Sequence, residues 1–146
     1  MNYHIKFITA KETHTVRHPV LRPGKPISSC IFYGDELDNN FHLGLYKNTK
    51  LVGVASFFNN KHPSLKFNRQ YQLRGMAILE PYQGKGLGNR LINHAEDILK
   101  AKHIEAIWCN ARKIAVNFYS RNNFQIKGDP FEIEDIGTHY VMFKKI

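Results

Sequence analysis

Three glycines at alternating positions, Gly84, Gly86 and Gly88, break the stretch "AILEPYQGKGLGNRLINHAEDILK" between an apolar segment and an amphipathic one. Glycine costs backbone entropy, so such a loop needs torsions or a close approach that a Cβ would block. A helix start has unpaired N–H groups and the positive end of the macrodipole. The chemistry this suits is anion binding, most often of a phosphate. A P-loop is excluded, since "GKGLGN" has neither the spacing nor the hydroxyl for magnesium. The dinucleotide fingerprint G-x-G-x-x-G is excluded too, because the spacing here is G-x-G-x-G. A plain glycine-rich turn is the competing reading.

Tyr119, in "WCNARKIAVNFYSRNNF", carries a phenol that can donate a proton, although taken alone it reads as an aromatic core anchor beside Phe118. Glu80, Glu132, Glu134, Asp135 and His139 are candidate bases, as is a water chain to solvent. Arg22 and Arg74 can read a carboxylate on a substrate or serve as ordinary solvated arginines. His14 and His18 stand four apart on one helix face but lack a third ligand, so no metal site is expected. Cys30 and Cys109 lie in apolar contexts and read as reduced, partly buried thiols, and Trp108 reads as core.

The elements that must hold these residues follow from periodicity. "YHIKFITA" alternates as a first strand, and Thr9 with Glu12 forms a capping box for a helix through about residue 18, disturbed by Pro19. "FHLGLY" and "KLVGVASFF" flank "KNT" as a hairpin. "YQLRGMAIL" is a strand leading into the glycine loop. Leu91, Ile92, Ala95, Ile98 and Leu99 form a helical stripe. "IEAIWC" is a short buried strand, and "ARKIAVNFYSRNNF" a second helix ending near Asn122–Asn123. "FQIKG" and "THYVMFKK" are strands joined by an acidic loop, "DPFEIEDIG". The expected fold is one α/β domain over residues 1–146, with a mixed sheet flanked by helices.

At 146 residues, 42% hydrophobic and 23% charged, the chain is long enough for a real core and is not disordered. No apolar run reaches a membrane span, and "MNYHIKFITAKE" lacks the features of a signal peptide, so a cytoplasmic location is expected. Twenty-one Lys and Arg against 12 Asp and Glu leave +9. That charge draws polyanions of any kind, including a multiply phosphorylated cofactor. The lysines are scattered and no aromatic-plus-basic motif accompanies them, so no specific nucleic acid is expected.

Gln83, Gly86 and Gly88 fit Q-x-x-G-x-G between a strand and an amphipathic helix. In this the sequence resembles the GNAT superfamily of acyl-CoA-dependent N-acetyltransferases, over most of its length and most strongly from Gln72 to Phe124. Ala115, Tyr119 and Phe124 match a second family pattern, N-x-x-A-x-x-x-Y with Gly-Phe beyond. Arg112 replaces the frequent Asn and Asn123 the frequent Gly. Arg112 is open to two readings, contact with a cofactor phosphate or capping of its own helix.

The resemblance implies a mostly antiparallel sheet and acetyl-CoA as co-substrate, with no metal. It implies that backbone donors from Gln83 to Asn89 (Gln83, Gly84, Lys85, Gly86, Leu87, Gly88, Asn89) hold the pyrophosphate, with Lys85 as an extra cation. Pantetheine would lie along the backbone of Met76 and Ile78, with Gly75 marking a bulge and Asn110 supplying an amide. A Met76 N–H would steady the oxyanion, and Tyr119 would protonate the leaving thiolate. The implied reaction is direct acetyl transfer to a primary amine, on a small molecule or a peptide, in a ternary complex. A catalytically inert acyl-CoA-binding regulatory domain is the alternative. An exposed strand edge could support a homodimer.

Overall fold

Strand periodicity and one parallel pair set the frame. A computed structural model describes residues 2–146. Among them, strands β1 (Tyr3–Ile8), β2 (Phe41–Lys47), β3 (Lys50–Phe58), β4 (Gln70–Ile78), β5 (Ala106–Arg112), β6 (Gln125–Ile133) and β7 (Gly137–Lys145) form one sheet in the order β1-β2-β3-β4-β5-β7-β6. Every neighbouring pair is antiparallel except β4 with β5. Helices α1 (His14–Leu21), α2 (Leu87–Ala101) and α3 (Val116–Arg121) complete the architecture.

The apolar stripe of α2 buries Leu91, Ile92, Ala95 and Leu99 in the main core, against Leu43, Leu45, Phe57 and Leu73 of the sheet. Each of the larger side chains contributes roughly 1.5–3 kcal/mol by leaving water. Helix α1 places Val16 against Val54 and Ala77 in a separate cluster. Val54 and the main-core Ala55 are successive strand residues, which point to opposite faces. The two helices therefore cover opposite sides of the sheet.

The capping box forms: the Thr9 N–H donates to Glu12 Oε1 (2.8 Å) and the Glu12 N–H to Thr9 Oγ1 (3.2 Å). It opens a 3₁₀ turn, Lys11–Thr13, that runs into α1. The helix goes beyond residue 18 to Leu21 with Pro19 inside it. Val20 and Leu21 pack against the cluster of Val16, Val54 and Ala77, and that contact offsets the backbone bond the proline forfeits.

Two boundaries differ from those expected. Helix α3 has six residues, because Ala111 and Arg112 remain in β5, paired with Tyr140 and His139 of β7. The acidic segment is mostly strand: Phe131, Glu132 and Ile133 pair with His139, Thr138 and Gly137. Pro130 falls within the register shift between Lys127 and Phe131, beside Gly128 at φ +79°. β6 is an edge strand, where a missing N–H is tolerated. Asn123 does take the left-handed conformation expected of it, at φ +69°.

The opening that matters lies at the sheet's centre. Strands β4 and β5 pair only where Gln70, Tyr71 and Gln72 face Ala106, Ile107 and Trp108. Beyond Gln72, β4 keeps its pairing with β3 while β5 turns to β7 alone. On the β3 side the register shifts between Val54 and Ser56, opposite Ala77 and Arg74. Gly75 and Met76 thus form the bulge, with Gly75 at φ +62°. An added Cβ at Gly75 would lie 3.0 Å from Phe32 Cε2 and 3.1 Å from Arg17 Nε. Torsion and crowding both call for glycine there.

Candidate active site

Two clefts meet at the bulge. One, of about 680 Å³, runs from Met76, Ala77 and Ile78 to the glycine loop and across to Ala115 and Phe118. The other, of about 440 Å³, lies in the gap between β4 and β5 and is lined by Gln72 to Met76 and by Cys109 to Arg112. Val20, Met76, Ile114 and Ala115 border both. Met76 lies where the two clefts meet.

The three glycines do different jobs. Gly84 (φ +75°) and Gly86 (φ +76°) take left-handed torsions, and a Cβ on either would meet nothing within 4 Å. Gly88 has no positive φ; its added Cβ would lie 2.8 Å from Phe118 Cζ, so it lets α3 approach α2. Gly86 is the N-cap of α2, with no side-chain cap and no acidic residue in the first turn. The Arg90 N–H is the one that closes back onto Gly86 O (3.2 Å), leaving those of Leu87, Gly88 and Asn89 as first-turn donors. Their positive end faces the larger cleft without a neutralising carboxylate. A diphosphate fits this cradle.

Gln83, Gly84, Gly86, Leu87, Gly88 and Asn89 all line that cleft, with Met76 and Ile78 on its floor. The exposed Gln83 side chain donates from Nε2 to Ile78 O (2.8 Å) and ties the loop to the end of β4. Lys85 is exposed beside the cleft rather than in its lining. Asn110 is exposed and lines the smaller cleft, across from Met76.

Tyr119 borders the smaller cleft, its ring held edge-on by Phe118 (5.1 Å) and Phe124 (5.3 Å). Burial, and then the neighbouring Cys109, push its phenol well above the usual tyrosine value, so it keeps its proton. Burial pushes the Cys109 thiol far up as well, which leaves it inert. The Trp108 indole donates to Asn60 O (2.9 Å) as part of the core.

Of the candidate bases, His139 lines the smaller cleft, while Glu80, Glu132, Glu134 and Asp135 do not. His139 Nδ1 lies 2.8 Å from Gly137 O. A carbonyl only accepts, so Nδ1 carries the hydrogen and Nε2 is the basic nitrogen of the neutral ring. Arg112 pairs in register with His139 and lines the same cleft, away from the glycine loop. Arg112 is also the N-cap of the 3₁₀ turn Lys113–Ala115, with no side-chain cap bond, so the capping reading holds for its position and not for its side chain. His18 Nε2 lies 2.7 Å from Lys25 O, a structural contact.

Phe32 was missed by sequence reading. Its ring carries the guanidinium of Arg17 at 4.0 Å, of Arg74 at 4.8 Å and of Arg22 at 5.7 Å. Beneath it, Arg17 is fully buried and bonds Asp35 twice (2.8 and 3.1 Å), Cys30 O and Ser56 Oγ. No periodicity marks Phe32, because it lies in an irregular segment whose shape this buried pair imposes.

Comparisons with known proteins agree with this geometry. A family model described as "Acetyltransferase (GNAT) family" matches residues 9–124. An uncharacterised N-acetyltransferase of Bacillus subtilis, YitI, is 38% identical over 142 residues, covering 97% of this chain and 95% of that protein. The ribosomal-protein-S18-alanine N-acetyltransferase of Escherichia coli shares the fold at a TM-score of 0.75 and 16% identity, over 99% of this chain and 94% of that one. The PaiA N-acetyltransferase of Thermoplasma acidophilum, solved with coenzyme A, does so at 0.69 and 17%, over the whole of both chains. With a split sheet, an uncapped glycine-opened helix and this kinship, the chain belongs to the GNAT family and is an acyl-CoA-dependent N-acetyltransferase.

Proposed function

We propose that the protein transfers the acetyl group of acetyl-CoA to a primary amine by direct attack, with both substrates bound at once. The observation that carries this is the meeting of the two clefts at Met76, with Tyr119 beside the junction. The N–H groups from Gly84 to Asn89 hold the pyrophosphate, without that of Gln83, which already donates to Glu80 O (3.1 Å), and Lys85 adds a peripheral cation. The backbone of Met76 and Ile78 pairs with pantetheine as an added strand would, with Asn110 facing it across the gap. Coenzyme A seen bound to the Thermoplasma acidophilum neighbour supports this use of the fold.

The amine nitrogen forms the new C–N bond as the thioester C–S bond breaks. The Met76 N–H, outside residue-for-residue pairing on either side, donates to the carbonyl oxygen as it gains charge. Tyr119 gives its proton to the departing sulfur, and the second proton that the nitrogen sheds in becoming an amide passes to solvent, from which the phenol is restored. The amine must arrive neutral, and His139 Nε2 is the base we assign to take its proton, directly or through water. The protein supplies position, one backbone donor, one acid and one base.

A coenzyme A release assay across an amine panel tests the proposal. Thiol release that depends on the amine and saturates with both substrates is the expected result. Saturable acetyl-CoA binding with no release on any amine would show a binding domain instead.

A further inference from the structure

The smaller cleft carries three arginines, Arg22, Arg74 and Arg112, and no Asp or Glu in its lining. All three are half-buried, and none forms a salt bridge among the described residues. The nearby carboxylate, Asp35, is already held by two hydrogen bonds from Arg17 and one from the Phe32 N–H. Phe32 fixes two of the three: Arg74 lies against its ring and, on its other side, 5.1 Å from Phe58, while Arg22 lies further out on Phe32. The third, Arg112, comes from β5 across the gap.

Packing three guanidiniums round one cavity without a counter-charge is costly, and the groups register it. Burial pulls Arg74 and Arg112 below the usual arginine value; at Arg74 the Asp35 charge opposes this while Arg17 and Arg22 add to it, and at Arg112 Arg22 adds to it. An arginine fork is matched to planar or tetrahedral oxyanions. A cavity of about 440 Å³ holds a small molecule, with the thioester end at Met76 and the cationic walls on either side.

We infer that the acceptor is a small primary amine bearing an oxyacid anion, a carboxylate or a phosphate, which Arg22, Arg74 and Arg112 bind while its amine reaches Met76. This rests on the acetyl-transfer reading for the identity of the reactive end, but the anion site stands on its own geometry. An arginine cluster also rejects cationic amines by repulsion, so the cleft selects twice.

The test pairs turnover with binding. With acetyl-CoA saturating, kcat/KM is measured for β-alanine, phosphoethanolamine, propylamine and putrescine. One or both anionic amines should exceed propylamine by about 100-fold or more, with putrescine the poorest, and which anion leads separates carboxylate from phosphate. Arg74→Gln and Arg112→Gln should each raise the anionic acceptor's KM tenfold or more while the KM for acetyl-CoA stays within twofold. Equal use of propylamine, or a shift confined to acetyl-CoA, overturns the inference. Calorimetric binding of N-acetyl-β-alanine and N-acetylphosphoethanolamine in the presence of coenzyme A keeps the two readings separate. Arginine-dependent binding without turnover would sink acetyl transfer and uphold the anion site; no binding of either would sink the anion site even if amines are acetylated.

Discussion

Tyr119 shows what a single residue owes to its surroundings. Its phenol is boxed by Phe118 and Phe124 and raised above the usual tyrosine range by burial and by Cys109. An acid catalyst works while protonated, and a raised value keeps the proton on through neutral and moderately alkaline pH. Tyr119→Phe should therefore lower kcat by about 100-fold or more, the usual worth of a placed general acid, with little change in acetyl-CoA affinity. Any alkaline fall in the wild-type rate below about pH 10 should survive in the variant, since it does not report Tyr119. Steady-state pH profiles of both proteins check this; a limb that vanishes with the tyrosine would refute the assignment. Tyr119 stood out as a candidate in the sequence because the family pattern it matches with Ala115 and Phe124 is local. The sequence could not disclose Arg112, whose direction depends on pairing with His139 twenty-seven positions away.

At the scale of elements, the glycine loop and the seat of α1 make separable claims. Gly86 needs its torsion, so Gly86→Ala costs roughly 1–2 kcal/mol in holding the left-handed form. The loop should relax out of shape and acetyl-CoA should bind about tenfold more weakly, with little loss of Tm. Gly88→Ala instead drives a Cβ into Phe118, an overpacking cost of roughly 1–3 kcal/mol that should lower Tm by about 3–10 °C. Calorimetry with and without acetyl-CoA separates the two; equal effects would mean the glycines act as one device. From sequence they looked like one, because spacing shows neither φ nor neighbours.

Under α1, burial pushes the Asp35 carboxyl up, but the Arg17 and Phe32 hydrogen bonds with the guanidinium charge outweigh it and leave it below the usual range. A lowered folded value means stability that is present above the unfolded value of about 3.9 and lost as pH falls through the folded one. Asp35→Asn leaves Arg17 buried without its counter-charge, and should cost about 3 kcal/mol or more at neutral pH. Denaturant midpoints at several pH values should show the wild type weakening in acid while the variant loses that component. Parallel pH curves would exclude the pair as its source. The capping box beside it was readable, since its partners are three residues apart. The Arg17–Asp35 pair was not, because it joins a helix to an irregular loop.

Over the whole molecule, strand order was beyond the reach of periodicity, which shows that β4 and β5 exist but not that they pair over three residues and then part. That partial pairing opens the cleft proposed above for the acceptor, and what fills it is governed by charge. The chain carries +9, its α2 N-terminus lacks an acid and the smaller cleft holds three arginines. Acetyl-CoA is an anion and the proposed acceptor bears an anionic group, so one field acts on both, and long-range attraction is screened beyond about 10 Å at 0.1 M salt. Raising ionic strength from roughly 0.05 to 0.5 M should raise the KM of acetyl-CoA and of an anionic acceptor several-fold each, with kcat changing less than twofold. Propylamine, an ammonium in neutral solution, is repelled by the same field, so its KM should fall or hold level across that range. Salt titrations of the three substrates settle the matter: a propylamine KM that climbs as steeply as the others would show that salt acts on the fold and not on the field.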